Sequence, residues 1–275
     1  MVDSAGEALV AFHVAEQDGR LVGYLDGVLP GEDNPTRTGV GGVWVRPDSR
    51  GCGIGSGLWD YLRPRAAARG VRRLTSHVEA SDEASLRWLA TQGATTGGTH
   101  LESMLMLGDD LPLVPPPVGV AVAILADDAD ENVWRSAYEA HVRRARDAPD
   151  AETNPTPMRY PMYRTLLSEE SQVCLATTED GVVGLTSVFP RNQKERLVNT
   201  MITAVNREWR GKGLATALKT AHALKLRDAG WRAIVTQNME GNDHILAANK
   251  LLGFQPKQGD AGCDLRLFRT VGLRR

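Results

Sequence analysis

The sequence predicts an α/β protein with a mixed sheet, built from two tandem copies of one supersecondary unit. Three observations carry that prediction: a gapless internal repeat, a hairpin pattern ahead of each copy, and a helix of apolar spacing after each copy's glycine loop. Residues 45–94 lie over residues 205–254, residue n facing residue n + 160. Val45 faces Val205, Arg50 faces Arg210, and Gly51, Gly53, Gly70 and Gly93 face Gly211, Gly213, Gly230 and Gly253. Chance rarely keeps every glycine of a loop in register.

The elements follow in order. Leu9 to Ala15, a turn carrying Asp18-Gly19, and Leu21 to Leu25 read as two strands of a hairpin. The counterpart is Gln172 to Thr177, a turn at Asp180-Gly181, and Val182 to Val188. A third strand in each half ends at Val45 or Val205. The glycine loop follows, then a helix with Leu214, Ala217, Leu218, Ala221 and Leu224 on one face, stopped by Gly230. A strand at Ala233 to Thr236 and a helix from Asp243 to Leu252, closed by Gly253, complete the unit. Upstream of the second copy, Asn132 to Arg146 and Pro161 to Leu167 read as two helices for which the first copy lacks room.

Consecutive prolines cannot enter a helix or a central strand, so Leu111-Pro112-Leu113-Val114-Pro115-Pro116-Pro117 reads as a spacer. The expected organisation is therefore a trimmed N-terminal domain over 1–110, a linker over 111–117 and a C-terminal domain over 118–275.

The chain has 275 residues, room for two domains of ordinary size. A hydrophobic share of 42% and a charged share of 24% exclude disordered, collagenous and coiled-coil classes. Lys and Arg number 32 against 34 Asp and Glu, so no excess charge favours a nucleic-acid partner. The three cysteines, Cys52, Cys174 and Cys263, are far apart and suit neither a disulfide framework nor a zinc site; no metal is expected. Residues 1–7 carry no basic or apolar leader pattern, and no apolar run approaches the roughly 20 residues of a membrane helix. These features lead to the expectation of a cytoplasmic protein without a membrane partner. Monomer and homodimer both stay open. An Ala-, Arg- and Gly-rich composition suggests a bacterial source.

Arg50-Gly51-Cys52-Gly53-Ile54-Gly55-Ser56 and Arg210-Gly211-Lys212-Gly213-Leu214-Ala215-Thr216 share one design. A strand ends, small residues keep side chains away, and a helix begins with backbone N–H groups free, which suits a phosphate or diphosphate. Neither copy meets the P-loop pattern, and the dinucleotide fingerprint is imperfect in both.

The pattern (Gln or Arg)-x-x-Gly-x-(Gly or Ala), five residues past a strand-ending Val and followed by Leu252-Gly253-Phe254, resembles the GCN5-related N-acetyltransferases. The resemblance covers both units, and Asn238, Asn242 and Asn249 strengthen it in the second. It implies two acyl-CoA N-acyltransferase-like domains, acyl-CoA (acetyl-CoA or a relative) as co-substrate, and a small-molecule primary amine as acceptor. It places the diphosphate on Lys212, Gly213, Ala215 and Thr216, or on Cys52, Gly53, Gly55 and Ser56, and the pantetheine arm along Val205 or Val45. Arg210, Gly211, Leu214, Arg50, Gly51 and Ile54 complete the two loops. The Thr203 amide would donate to the thioester oxygen, and one of Lys212, Lys219 and Lys225, otherwise a solvated basic face, to the 3′-phosphate.

The sequence departs from the family pattern at the reacting groups. Asn199 and Gly39 stand where many members carry a basic glutamate, and Asn249 and Leu89 where many carry an acidic tyrosine. Asn249 still has a hydrogen bond to offer to sulfur; Leu89 has none. The base is then water held by Asn199, or Glu195, Glu240 or His244, which suffices for an amine that loses one proton. His13, His77, His100, His141 and His222 show no metal spacing and read as structural. Ala94 in place of Phe254, Ser81-Asp82 in place of Gly241-Asn242, and the missing helices make the first unit a non-catalytic copy. Trp134, Tyr138, Tyr160 and Tyr163 are candidate acceptor contacts, with core packing the commoner job for such residues. The absent acid and base also leave open a CoA-binding protein that senses or assembles without transferring.

Overall fold

The computed structural model describes residues 9–29, 38–79, 81–145, 159–167, 172–256 and 265–272. Residues 1–7, Arg146 and Cys263 lie outside them.

In chain order the first repeat holds β1 (Leu9–Gln17), β2 (Arg20–Leu29), β3 (Thr38–Val45), α1 (Ile54–Ala68), β4 (Arg73–Glu79), α2 (Glu83–Thr91) and β5 (Ala94–Met106). Then come β6 (Ala121–Ile124), α3 (Glu131–Ala145), α4 (Tyr160–Leu166), β7 (Val173–Thr178), β8 (Gly181–Asn192) and β9 (Leu197–Val205). The chain ends with α5 (Leu214–Asp228), β10 (Ala233–Met239), α6 (Asp243–Leu251), β11 (Gln255–Pro256) and β12 (Leu265–Gly272). Residues 111–117 form no helix or strand, as the prolines require. The order strand, strand, strand, helix, strand, helix holds in both repeats; β5, β6, β11 and β12 carry no pattern that the sequence reading isolated.

The compact units do not part at the proline-rich seam. One unit runs to Thr99 and takes back the chain from Arg266, and the other begins at His100. The reason lies in the strands that follow α2 and α6. In the first unit β1, β2 and β3 are antiparallel, β3 pairs parallel with β4, and β4 pairs antiparallel with β12, Phe268 opposite His77. In the second unit β6 to β9 are antiparallel, β9 pairs parallel with β10, and β10 pairs antiparallel with β5, Gln237 opposite Glu102. Each repeat thus sends its last strand to the other unit's sheet. Strand pairing is set by which edge needs an antiparallel partner, a non-local matter that period and composition do not encode.

The first unit's core is built from Leu25, Leu58, Leu62, Ala66 and Leu74 between helix and sheet. In the second, Leu214, Leu218 and Val205 form one cluster, Leu226, Ile234, Leu252 and Phe254 another, and Trp134, Tyr163 and Leu185 a third. Gly184 lets α5 sit close on β8: a Cβ there would stand 3.0 Å from Leu218 Cδ1 and 3.1 Å from the Ala204 carbonyl. Helix α5 ends where expected, since the Gly230 and Trp231 amides bond back to Arg227 and Leu226. The same closure at Gly253 and Phe254 returns to Lys250 and Asn249, which ties α6 off beside the site.

Candidate functional site

In the second unit β9 ends at Val205 and a short 3-10 turn, Arg207–Trp209, leads into the glycine loop. Arg210 Nε donates to the Val205 carbonyl at 3.1 Å, so the motif arginine pins the loop to the strand end. Gly211 and Gly213 take φ of 73° and 79°, the left-handed region, with open space where a Cβ would stand. Gly213 caps α5 with no side-chain hydrogen bond, which leaves donors and the positive end of the helix dipole at the loop. Lys212 Nζ lies 4.9 Å from the Trp209 ring centre. Leu214 and Thr216 are buried and Ala215 half-buried, so the Leu214 side chain anchors the loop in the core.

The first unit repeats the device. Arg50 Nε donates to the Val45 carbonyl at 3.2 Å, and Gly51 and Gly53 take φ of 80° and 81°. Cys52 is exposed, Ile54 and Gly55 are half-buried, and Ser56 Oγ accepts from Trp88 Nε1 at 3.3 Å.

Strands β9 and β10 are in register only over Leu197–Asn199 and Ala233–Val235, although both run on, so they diverge toward the loop. A β-bulge helps: β8 pairs Ser187 with Ile202 and then Val188 with Thr200, which leaves Met201 extra on β9. The β2–β3 pairing of the first unit shows no such shift. Thr186 and Thr203 hydroxyls share a hydrogen bond of 2.9 Å.

Half-buried Asn238 and buried Asn249 and Lys219 form one hydrogen-bonded chain in the second unit. Lys219 Nζ donates to Asn249 Oδ1 at 2.8 Å, and Asn249 Nδ2 donates to Asn238 Oδ1 at 2.7 Å. Lys219 also stands 4.8 Å from the Phe254 ring centre. The expectation of a solvated basic face fails here: Lys219 is only 5% exposed, and burial pulls its pKa down to about 7. Lys225, by contrast, is exposed. The signal for Lys219 was its place beside Leu218 on a face that packs against sheet and helix.

Asn199 belongs to a second network. Its Oδ1 accepts from Arg191 Nη1 at 3.3 Å, and the same nitrogen donates to Glu102 Oε2 at 3.1 Å. Gln237 Nε2 reaches that carboxylate at 2.7 Å. Glu102 arrives on the exchanged strand β5, with its side chain almost fully buried, and no motif pointed to it. Of the other base candidates, His244 stands exposed in the first turn of α6, and Glu195 and Glu240 are exposed on turns. His244 and Asn249 are five residues apart on α6, on different faces. Asn242 is the residue before α6, half-buried and without a capping side-chain bond.

The aromatics ahead of β7 pack mainly inward. Trp134 and Tyr163 are 1% and 0% exposed, and their ring centres are 6.5 Å apart. Tyr138 and Tyr160 are half-buried at 5.3 Å from each other. His141, 5.1 Å from Tyr163, is kept neutral by burial, its pKa drawn down to about 4. Among the described residues there is no cluster of three or more potential metal-ligating side chains, and no helix is long and apolar enough to cross a membrane.

The fold is shared with proteins of known structure. The acetyltransferase (GNAT) family profile matches residues 3–94 and 134–254. A tandem GNAT protein from the clavulanic acid biosynthesis pathway is 23% identical, with a TM-score of 0.73 over 98% of this chain and 84% of that one. A GCN5-related N-acetyltransferase from Sphaerobacter thermophilus is 18% identical, with a TM-score of 0.71 over 94% of this chain and 79% of that one. No curated protein matches the chain.

Proposed function

Because the chain belongs to the acetyltransferase (GNAT) family, whose members transfer an acyl group from acyl-CoA, we propose that its second unit acetylates a primary amine of a small molecule. Transfer is by direct attack in a ternary complex, with acetyl-CoA or a related acyl-CoA as donor. The observation that carries the assignment to the second unit is the hydrogen-bonded Lys219–Asn249–Asn238 chain, which the first unit lacks, set below a loop with an uncapped helix start.

The loop fits a CoA diphosphate. The left-handed Gly213 leaves room above the first turn of α5, and the amides of Lys212, Gly213, Ala215 and Thr216 would hold the anion. Val205 would align the pantetheine arm, while Arg210 and Gly211 hold the loop's shape. CoA supplies an acyl group activated as a thioester; this chain's residues orient it. The Thr203 amide, past the Met201 bulge, is the donor for the thioester oxygen. Asn249 is the donor for the sulfur: Lys219 occupies its Oδ1, and one of the two Nδ2 hydrogens remains beyond the bond to Asn238. Water held by Asn199 accepts the amine proton, with Arg191 and Glu102 behind it. Exposed His244 is the alternative base.

The test is CoA release by the full chain with acetyl-CoA and a panel of small amines, with calorimetry of acetyl-CoA alone. The expected result is micromolar-range binding and intersecting initial-rate lines for at least one amine. Absence of any acetyl-CoA affinity would overturn the reading.

A further inference from the structure

The first unit keeps the loop but not the chemistry below it. A cavity of about 640 Å³ runs from the Arg50–Ser56 loop between β3 and β4, within the range of roughly 300–1,000 Å³ common for small-molecule sites. Strands β3 and β4 open it: their register covers Thr38–Val40 and Arg73–Thr75, and both strands run on. Its walls include Trp59, Leu62, Leu74, Val78, Trp88 and Leu89. Four of these face, through the repeat, the polar residues Lys219, His222, Asn238 and Asn249 of the second unit. The hydrogen-bonded chain of one copy is an apolar lining in the other.

One polar atom in that lining is left over. Trp59 is 6% exposed, and its buried Nε1 finds no acceptor among the described residues. A buried indole N–H without a partner costs stability unless a ligand oxygen meets it. Above it stand the anion-binding elements already described: Gly51 and Gly53 in the left-handed region, and the uncapped start of α1.

We propose that the first unit is a binding site for an acyl-CoA whose aliphatic acyl chain is longer than acetyl, held there and not transferred. The diphosphate lies on the loop amides, the thioester oxygen accepts from Trp59 Nε1, and the chain lies against Leu62, Leu74, Val78 and Leu89. This rests on the reading that the glycine loops take CoA. Leu89 has no hydrogen bond to give to sulfur, so the bound thioester stays intact.

The test is calorimetry of the full chain with acetyl-CoA, octanoyl-CoA and free octanoate, repeated in Gly213→Val, which disables the second loop. Each methylene moved from water to an apolar wall tightens binding by roughly fourfold. Octanoyl-CoA should therefore bind Gly213→Val at least about 30-fold more tightly than acetyl-CoA, and octanoate alone should bind far more weakly. Val78→Asn should cut that advantage to less than about fivefold. Should Val78→Asn fail to fold, Trp59→Phe keeps the ring and loses the donor, and is expected to weaken octanoyl-CoA about five- to tenfold. A chain-length advantage that is absent or that survives Val78→Asn overturns the proposal, as does an octanoyl-CoA affinity unchanged by Trp59→Phe, or octanoate matching octanoyl-CoA. If wild type binds acetyl-CoA and only the chain-length preference is missing, the inference alone fails; if no CoA species binds, the CoA reading fails with it.

Discussion

Lys219 Nζ lies 2.8 Å from Asn249 Oδ1, and that one contact orients the Asn249 amide. Nζ donates to Oδ1, so Nδ2 faces away, where it meets Asn238. Helix α5 supplies the lysine and α6 the asparagine, and the Phe254 ring, just past the end of α6, lies against Lys219 Nζ. A group that could rotate freely is thereby fixed as a donor.

Asn249→Ala should lower kcat by roughly 10²-fold, the scale of losing one oriented donor at a developing negative charge. Asn249→Asp should do the same, since an ionised carboxylate accepts and does not donate. Steady-state kinetics with varied acetyl-CoA will check this. If both variants raise KM and leave kcat alone, Asn249 contributes binding and not stabilisation of the leaving sulfur.

Lys219→Met should make the protein less sensitive to pH. Burial holds the folded pKa at about 7, below the ordinary 10.5, so between these values the unfolded chain carries the extra proton. Stability therefore rises with pH across that window, and the full cost of burying the ammonium is present below about 7. That cost is up to about 5 kcal/mol by the usual conversion of a pKa shift. Urea melts at pH 6 and pH 9.5 should show a smaller difference in Lys219→Met than in wild type, and a more stable variant at pH 6. Equal pH slopes in the two proteins would show that the folded and unfolded chains hold the Lys219 proton alike.

How far the sequence reaches depends on whether the signal is local. The glycine loops, the helix stops at Gly230 and Gly253, and the hairpin turns are written in residues next to one another, and all are present. Lys219 is different: its letter says solvent, its helical position says core, and only the α5–α6 packing decides. Glu102 is further still from legibility. It enters through a strand that leaves its own repeat, and its partners Arg191 and Gln237 are 89 and 135 residues away. The Met201 bulge is hidden for a related reason: it lies ahead of the repeat, which begins at Val205, and it exists only in the pairing of β9 with β8.

Glu102→Gln tests whether that second network serves catalysis or only stability. The change keeps the shape and removes the charge, leaving Arg191 without its ion partner. Because Arg191 is partly exposed, the loss should fall at or below the roughly 3–5 kcal/mol typical of a broken buried pair, about 1–3 kcal/mol. Asn199, which shares Arg191, should lose its fixed orientation, and kcat at neutral pH should drop several-fold with an altered pH profile. Melting alone, with the pH–rate profile unmoved, would make the network structural.

Gly213→Val isolates the loop that the functional reading depends on. At φ 79° a β-branched residue is strained, by roughly 1–2 kcal/mol, although the space around the site is open. The strain is relieved if the chain turns the residue back to negative φ, and that movement withdraws the first amides of α5 from a common point. A ligand at 100 times its Kd stabilises a fold by about 2.7 kcal/mol. Wild type should therefore melt several degrees higher in saturating acetyl-CoA. Gly213→Val should melt slightly lower without ligand and gain much less from acetyl-CoA, with kcat/KM for acetyl-CoA reduced at least about tenfold. A full ligand-induced shift in this variant would mean that the α5 amides do not hold the diphosphate.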